Sequence, residues 1–437
     1  MRIAVIGTGI SGLSAAWGLR RGLGSDADIV LYERRDYAGG HTATKTVDYD
    51  GESIAVETGF IVFNTLNYPN LTAFFEELDI QTDESSMSFS VSLHDGAFEW
   101  SGDGLRAVFA QKRNLVSPRF LWMLREIMRF NECSHKDRKA GRLTGLSLGE
   151  YMEMRRFSKS FRDGYLIPMG AAIWSTPRDQ MLEFPAESFV QFLENHRLIN
   201  IRRPDWRTVA GGSATYVAKV LQEIQAEVRL ATPVTRVERH PGTVVVTDET
   251  GAQDTFDHAI IAAHSDQALA MLADPSEKER EVLGAIRYLP NAVYLHRDAS
   301  LMPKRKRVWT SWNYTEDQNM DGQATLAVTY WMNRLQNIGR KYPLFVSLNP
   351  AKMPDPALTF GTFEYDHPQY DRAALNAQKA LPALQGLQNT WYCGAYHGYG
   401  FHEDGMKAGI AVAEALGGTY PWRAMPKGPY ALTEAAE

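Results

Sequence analysis

The chain opens with an apolar run, Ile3-Ala-Val-Ile6, that stops abruptly at Gly7. A short run bounded in this way predicts a strand. Gly7-Thr-Gly9-Ile-Ser-Gly12 follows, and an Ala/Leu-rich stretch to about Arg21 reads as a helix. A second run, Asp28-Ile-Val-Leu-Tyr32, predicts another strand and ends on Glu33. Farther along, apolar residues at 216, 217, 220, 221 and 224 fall at helical spacing, while Asp257–Ala263 and Ala324–Trp331 are strand-like. The pattern between 66 and 204 is mostly helical. Strand, helix and strand in close succession predict an α/β fold.

Composition narrows the class. At 437 residues the chain is long enough for two or three domains. Hydrophobic content of 44% and charged content of 22% describe a soluble globular protein. A net charge of −6 argues against nucleic acid as a partner. Cys133 and Cys393 are the two cysteines and form no C-x-x-C pair, so zinc and thioredoxin-type chemistry find no support and no metal is expected. A reduced, cytoplasmic compartment fits this usage. The N-terminal apolar run is too short for a secretory signal, and no run of about 18 apolar residues predicts a membrane span.

The opening segment carries the first chemistry. GxGxxG between a strand and a helix, with an acid about 20 residues beyond, is the context of a dinucleotide-binding turn. Gly7 permits the turn, Gly9 lets the backbone approach a diphosphate, and Gly12 lets the helix lie close to the strand. The amides of Ile10 and Ser11 lie at the helix N-terminus, which favours an anion. Glu33 is placed to accept hydrogen bonds from ribose hydroxyls.

Beyond Glu33, Arg34-Arg-Asp-Tyr-Ala-Gly39-Gly40-His41-Thr-Ala-Thr44 resembles the Gly-Gly-Arg-x-x-Thr stretch of the flavin amine oxidase and phytoene desaturase superfamily. His41 stands where that superfamily usually has Arg. Val209-Ala-Gly211-Gly212-Ser-Ala-Thr-Tyr216, Val228–Val237, Asp257–Ala263 and Trp391–Gly409 match in the same order. The resemblance implies a Rossmann-type FAD-binding domain with an inserted mixed α+β substrate domain. Residues 1–65, 205–265 and 386–425 would form a discontinuous FAD domain, and 66–204 and 266–385 the substrate domain. Residues 426–437 would be a tail. The cofactor implied is non-covalent FAD. Besides Gly7, Gly9, Ile10, Ser11, Gly12 and Glu33, its contacts would come from Arg34, Gly39, Gly40, His41, Thr42, Thr58, Gly59, Phe60, Val234, Ala263, Gly394, Phe401 and Asp404. Gly405 and Met406 would donate N–H groups to the flavin's pyrimidine edge. Cys393 makes a covalent link conceivable, but none is expected. No second GxGxxG occurs, so electrons are expected to leave to oxygen or another acceptor.

FAD takes hydride at N5, so the protein must position a donor carbon and exclude water. The resemblance makes Phe401 a substrate wall, beside Tyr396 and Tyr399, with Phe63 and Trp174-Ser175 as further lining. His397, His402 and Glu403 are candidates for acid–base work. A histidine near a flavin is also commonly a hydrogen-bond partner, and no base is assigned.

Two segments point toward lipid. Between Gly104 and Phe130, six cations alternate with aromatic and aliphatic residues against one acid, Glu126. Such a helix can lie in a headgroup layer; it can equally be a core helix with a solvated face. Leu301–Trp309 adds Lys304-Arg-Lys-Arg307, suited to an anionic surface or to a solvated loop. These features make peripheral contact with the inner face of a membrane an expectation. Thr58–Asn64, Ala172–Ser175, Leu295–Pro303 and Ser311–Tyr314 are similar to a bacterial FAD-binding group related to the flavin domain of plant cyclopropane fatty acid synthases. That resemblance implies desaturation of methyl-branched acyl chains of phospholipids, with a cyclopropane-synthase-like methyltransferase as partner. Two rivals stand beside it: an amine oxidase releasing imine and peroxide, and a catalytically idle flavin protein that presents lipid to a methyltransferase.

Overall fold

The computed structural model describes residues 1–174, 178–195, 204–318 and 324–423. Its centre is a five-stranded parallel sheet. Strands β1 (Arg2–Ile6) and β2 (Asp28–Tyr32) join β3 (Glu227–Arg229), β4 (His258–Ile261) and β5 (Thr390–Tyr392) in the order β3-β2-β1-β4-β5. In register, Ile3 faces Ile29 and Ile6 faces Ile261. The near-continuous apolar composition of β1 follows from cover on both sheet faces. Ile3 and Val5 pack in one core and Ala4 and Ile6 in another.

On one face helix α1 (Ile10–Leu23) lies beside the last helix, α4 (His402–Ala415). Their contact is made of small residues. A Cβ on Gly405 would stand 2.8 Å from Ser11 Oγ, and one on Gly409 would overlap the Ser11 carbonyl. At the far end Gly22 abuts the Gly417 carbonyl, so the helices run parallel with their N-termini together. Helix α2 (Pro69–Glu77) joins the same core through Leu71, Phe74 and Phe75.

A seven-stranded sheet forms the second layer. It takes Phe89–Leu93 and Phe98–Ser101 from the first insert and the other five strands from the second. Ala324–Trp331 is one of these strands, as its pattern predicts. Helix α3 (Pro118–Lys139) and shorter helices cover it around a core rich in Phe, Tyr and Trp. Three stretches expected in the substrate part pack on the parallel-sheet side instead. Residues 69–78 share the core of α1, and 268–286 and 374–384 share the core beneath β4, because their apolar faces match those surfaces. The expected tail, 426–437, lies outside the described residues.

Candidate flavin site

The glycine turn has the geometry its spacing predicts. Gly7 has φ +108°, and a Cβ there would stand 2.5 Å from the Ala262 carbonyl oxygen. Gly12 packs against the Gly7 carbonyl, whereas a Cβ on Gly9 would meet nothing within 4 Å. Gly9 is the N-cap of α1 and offers no side-chain cap. The first helical bond runs from Leu13 N–H to Gly9 C=O at 2.9 Å, so the amides of Ile10, Ser11 and Gly12 precede the ladder. Glu33, at the end of β2, is buried and accepts from Thr8 N–H (3.1 Å), Thr8 Oγ1 (2.5 Å) and Arg35 N–H (3.0 Å). A carboxylate has about four acceptor positions, which leaves capacity for a ribose hydroxyl. The Glu33 carbonyl accepts from Thr232 N–H at 2.8 Å, which brings half-buried Val234 to the same end of the sheet.

The resemblance places Arg34 at the cofactor and gives Arg35 no role. Arg34 is exposed, whereas Arg35 turns inward and donates from Nη1 to Tyr37 Oη (2.7 Å) and the Gly40 carbonyl (3.0 Å). Nothing in two adjacent arginines distinguishes them until the loop geometry is known. Gly39 N–H donates to Thr8 Oγ1 at 3.1 Å, and a Cβ on Gly40 would stand 2.9 Å from Gly9 Cα. The 39–42 loop is thereby pressed onto the glycine turn.

His41 faces His264 and His367, with ring centroids 5.9 and 6.3 Å away, and Tyr365 at 5.5 Å. Burial, with neighbouring imidazoles and Arg35, pushes its pKa well below the usual value, so the ring is neutral. His41, Ala263, His264 and His367 each keep partial exposure, as do Phe401 and His402, so they line a cleft rather than fill a core. His264 and His367 carried no signal of their own in the sequence, since β4 and the second sheet bring them to His41 only in the fold. Thr58, Gly59 and Phe60 hold this loop. Thr58 Oγ1 donates to the Ala43 carbonyl (2.9 Å) and contacts Tyr365 Oη (2.8 Å), and Phe60 N–H donates to His41 C=O (2.8 Å). Gly59 leaves room for the same carbonyl.

The second helix N-terminus corrects one expectation. Gly405 N–H closes the first bond of α4 onto Phe401 C=O at 3.1 Å, and Met406 is fully buried in the core. The amides ahead of the ladder therefore belong to His402, Glu403 and Asp404, while Gly405 serves the contact with α1. Asp404 is buried and accepts from Tyr399 N–H (2.9 Å) and Phe401 N–H (3.1 Å), fixing the loop that begins at Gly394. Burial raises its carboxyl to about 6.

Of the acid–base candidates, Glu403 is removed. It is buried and accepts from Asn70 Nδ2 (2.6 Å), Asn70 N–H (3.2 Å) and Leu71 N–H (3.0 Å), which caps α2; burial raises its pKa to about 7. His402 Nε2 lies 3.1 Å from Thr42 Oγ1 and 3.0 Å from Tyr216 Oη, with its ring stacked on Phe60 at 3.7 Å. Burial lowers its pKa to about 3, and it acts as a hydrogen-bond partner. His397 differs: its Nε2 is buried without a hydrogen-bond partner among the described residues, and burial lowers its pKa to about 4.

The expected substrate walls separate into two groups. Phe401 stacks on Phe192 (5.1 Å), which also meets Tyr399 (6.1 Å) and Trp174 (4.7 Å). Phe401 packs against both the α1 core and the aromatic core of the second layer. Tyr396, in contrast, is buried beneath the parallel sheet, and Phe63 is 1% exposed against Tyr68 and Phe75, so neither lines the cleft. Ser175 lies outside the described residues. Cys393 is buried in the α1 core, where burial pushes its thiol up to about 12.

These residues fit a flavin dinucleotide. Open space at Gly9, two convergent helix N-termini, Glu33 with spare acceptor capacity, and Arg35 beside neutral imidazoles together provide a cradle for a diphosphate and its ribose. FAD is the cofactor.

Comparison with known proteins agrees with this construction. Among the solved structures that share the fold over 95% of this chain, three illustrate its range. They are a putrescine oxidase bound to putrescine (14% identity, TM-score 0.66, 99% of its chain), a fatty acid isomerase from P. acnes that produces CLA (15%, 0.65, 98%), and cyclohexylamine oxidase from Brevibacterium oxydans IH-35A (15%, 0.65, 99%). No curated protein matches the sequence. Residues 10–296 match the family described as flavin containing amine oxidoreductase. This chain belongs to that family and is an FAD-dependent oxidoreductase.

Proposed function

We propose that the protein desaturates an unsaturated, methyl-branched acyl chain of a phospholipid. The observation that carries this reading is the hydrocarbon character of the wall ahead of α4. Phe401, which lacks a hydroxyl, meets Phe192 and, through it, Trp174 and the rest of the aromatic core. Such walls suit an acyl chain, whose binding draws on apolar area rather than on charge. The resemblance to fatty-acyl-modifying flavoproteins supports the same reading, as does the similar fold of the CLA-producing fatty acid isomerase.

FAD, when bound, accepts a hydride at N5. Around it, the residues of this chain have three tasks. Phe401, backed by the buried ring of Phe192, walls the chain and excludes water. The N-terminus of α4 presents the dipole of 14 residues towards the cleft. The second hydrogen leaves as a proton to a base, for which His397, whose Nε2 has no hydrogen-bond partner among the described residues, is the candidate. Removal of hydride from an allylic carbon beside a methyl-substituted alkene leaves a delocalised cation. Its neighbouring C–H is acidic enough for so weak a base, and proton loss gives a diene.

Anaerobic mixing of the purified protein with methyl-branched unsaturated acyl lipids tests this. The expected result is loss of the flavin absorbance near ~450 nm and a diene by mass spectrometry. Bleaching by amines alone would establish amine oxidation instead. An oxidised flavin under both donors would favour a lipid-presenting role beside a methyltransferase.

A further inference from the structure

We propose that a single basic and apolar face, built from two segments far apart in sequence, docks the protein onto an anionic lipid bilayer. Half of the large apolar side chains exposed among the described residues lie between 105 and 128: Leu105, Leu115, Val116, Leu121, Trp122 and Met128, with Leu105 at 78% and Val116 at 80%. On α3 the residues divide cleanly by helical position. Phe120, Met123, Glu126 and Phe130 turn inward, while Leu121, Trp122, Arg125, Met128 and Arg129 occupy the outer face. Glu126, the one acid between 104 and 130, is 2% exposed and accepts from Ser158 N–H at 2.9 Å. The outer face of this half of the helix therefore carries cations and hydrocarbon without an acid.

The second segment lands beside the first. The turn Lys306–Val308 packs against the short helix Leu105–Val108 and the strand Phe98–Ser101. Lys304, Arg305, Lys306 and Arg307 are all exposed there. Lys304 and Arg305 have carboxylate partners in Asp95 (2.5 Å) and Glu99 (2.6 Å). Arg106, Lys112, Arg113, Arg119 and Arg125 complete the cationic surround, with the Arg125 guanidinium 5.1 Å from the Trp122 ring centre.

The occupant follows from the charge and the hydrocarbon together. A second copy of this chain would set arginine against arginine. A nucleic acid would meet the cations but leave Leu115, Val116 and Met128 without use. An anionic bilayer satisfies both, since headgroups take the cations while aliphatic and Trp side chains enter the acyl boundary. The face stands on these exposures alone and is independent of which donor the flavin oxidises.

Co-sedimentation of the full chain with phosphatidylcholine vesicles, with and without one-third phosphatidylglycerol, tests it. Binding to the anionic vesicles that weakens with salt is expected. Arg113→Gln with Arg125→Gln should lower the partition coefficient about 25-fold, about fivefold per charge. Leu115→Ser with Val116→Ser should lower it about tenfold or more. Unchanged thermal midpoints and flavin absorbance in both variants show that the fold is kept. No sedimentation with anionic vesicles, equal binding to neutral ones, or binding untouched by both variants would overturn the proposal. So would a protein complex lost in the same variants without any vesicle binding. No turnover is read, so this outcome is separate from that of the desaturase assay.

Discussion

At the scale of single residues, the glycine turn separates two demands that the motif merges. Gly9 faces open space, so Gly9→Val should fold normally and lose its cofactor. Flavin affinity should fall at least tenfold, about 1.4 kcal/mol, with the thermal midpoint of the flavin-free chain unchanged. Gly12→Val should instead fail in folding, because its Cβ would overlap the Gly7 backbone. Absorbance per chain and a melting curve distinguish the two variants. Glu403 permits a similar separation of structure from chemistry. It caps α2 through three donors, so Glu403→Ala leaves buried amides unpaired and should cost about 1–3 kcal/mol. Glu403→Gln keeps an acceptor and should recover much of that stability. If the alanine variant abolished turnover while its unfolding midpoint in urea stayed put, Glu403 would be a proton carrier after all.

Elements show why some of the site could be read in advance and some could not. The strand, turn and helix from Arg2 to Leu23 are local, and their residue types follow from local rules of φ, packing and helix dipole. The partnership of α1 with α4 is different. Gly405 and Gly409 lie four apart on one face of α4, which looks in sequence like part of a glycine-rich cofactor loop; it is the groove that receives Ser11 and Ser14. The same holds for two of the four stretches that suggested a lipid-modifying relative. His296 bonds Ser347 Oγ at 2.8 Å, and Asn313 is tied to Ser90, Thr310 and Thr329 inside the second sheet, so these motifs hold strands together. Gly409→Val should drive α1 and α4 apart, costing about 1–3 kcal/mol, and should reduce flavin content as the two N-termini separate. Retention of both stability and flavin would show that the helices do not need this close contact.

Across the whole molecule, one property arises from groups that no motif joins: a surplus of neutral imidazoles, with His296 buried and His367, His397 and His402 half-buried. His296, His367 and His397 are held at about 4 and His402 at about 3, in each case chiefly by burial. Unfolded, each would titrate near 6.5. Above that pH neither state is protonated and the imidazoles contribute no pH dependence. Below it the unfolded chain binds protons that the folded chain refuses, so stability falls as pH drops from about 6.5 towards 4. Glu403 at about 7 and Asp404 at about 6 act in the opposite sense. The folded state keeps their protons while the unfolded state releases them, so these two add stability as pH falls from about 7 to 4. Four imidazoles outweigh two carboxyls, and the net slope is towards acid unfolding well above the range where ordinary carboxylates titrate. The thermal midpoint should therefore decline steadily between pH 6.5 and 4.5. Calorimetry in buffers of different ionisation heat should show net proton uptake on unfolding at pH 5.5. His397→Gln should shallow the slope, since its Nε2 has no hydrogen bond to lose. A midpoint that rose on acidification through this window would mean that the carboxyls dominate and that the imidazoles are less deeply buried than their surroundings imply.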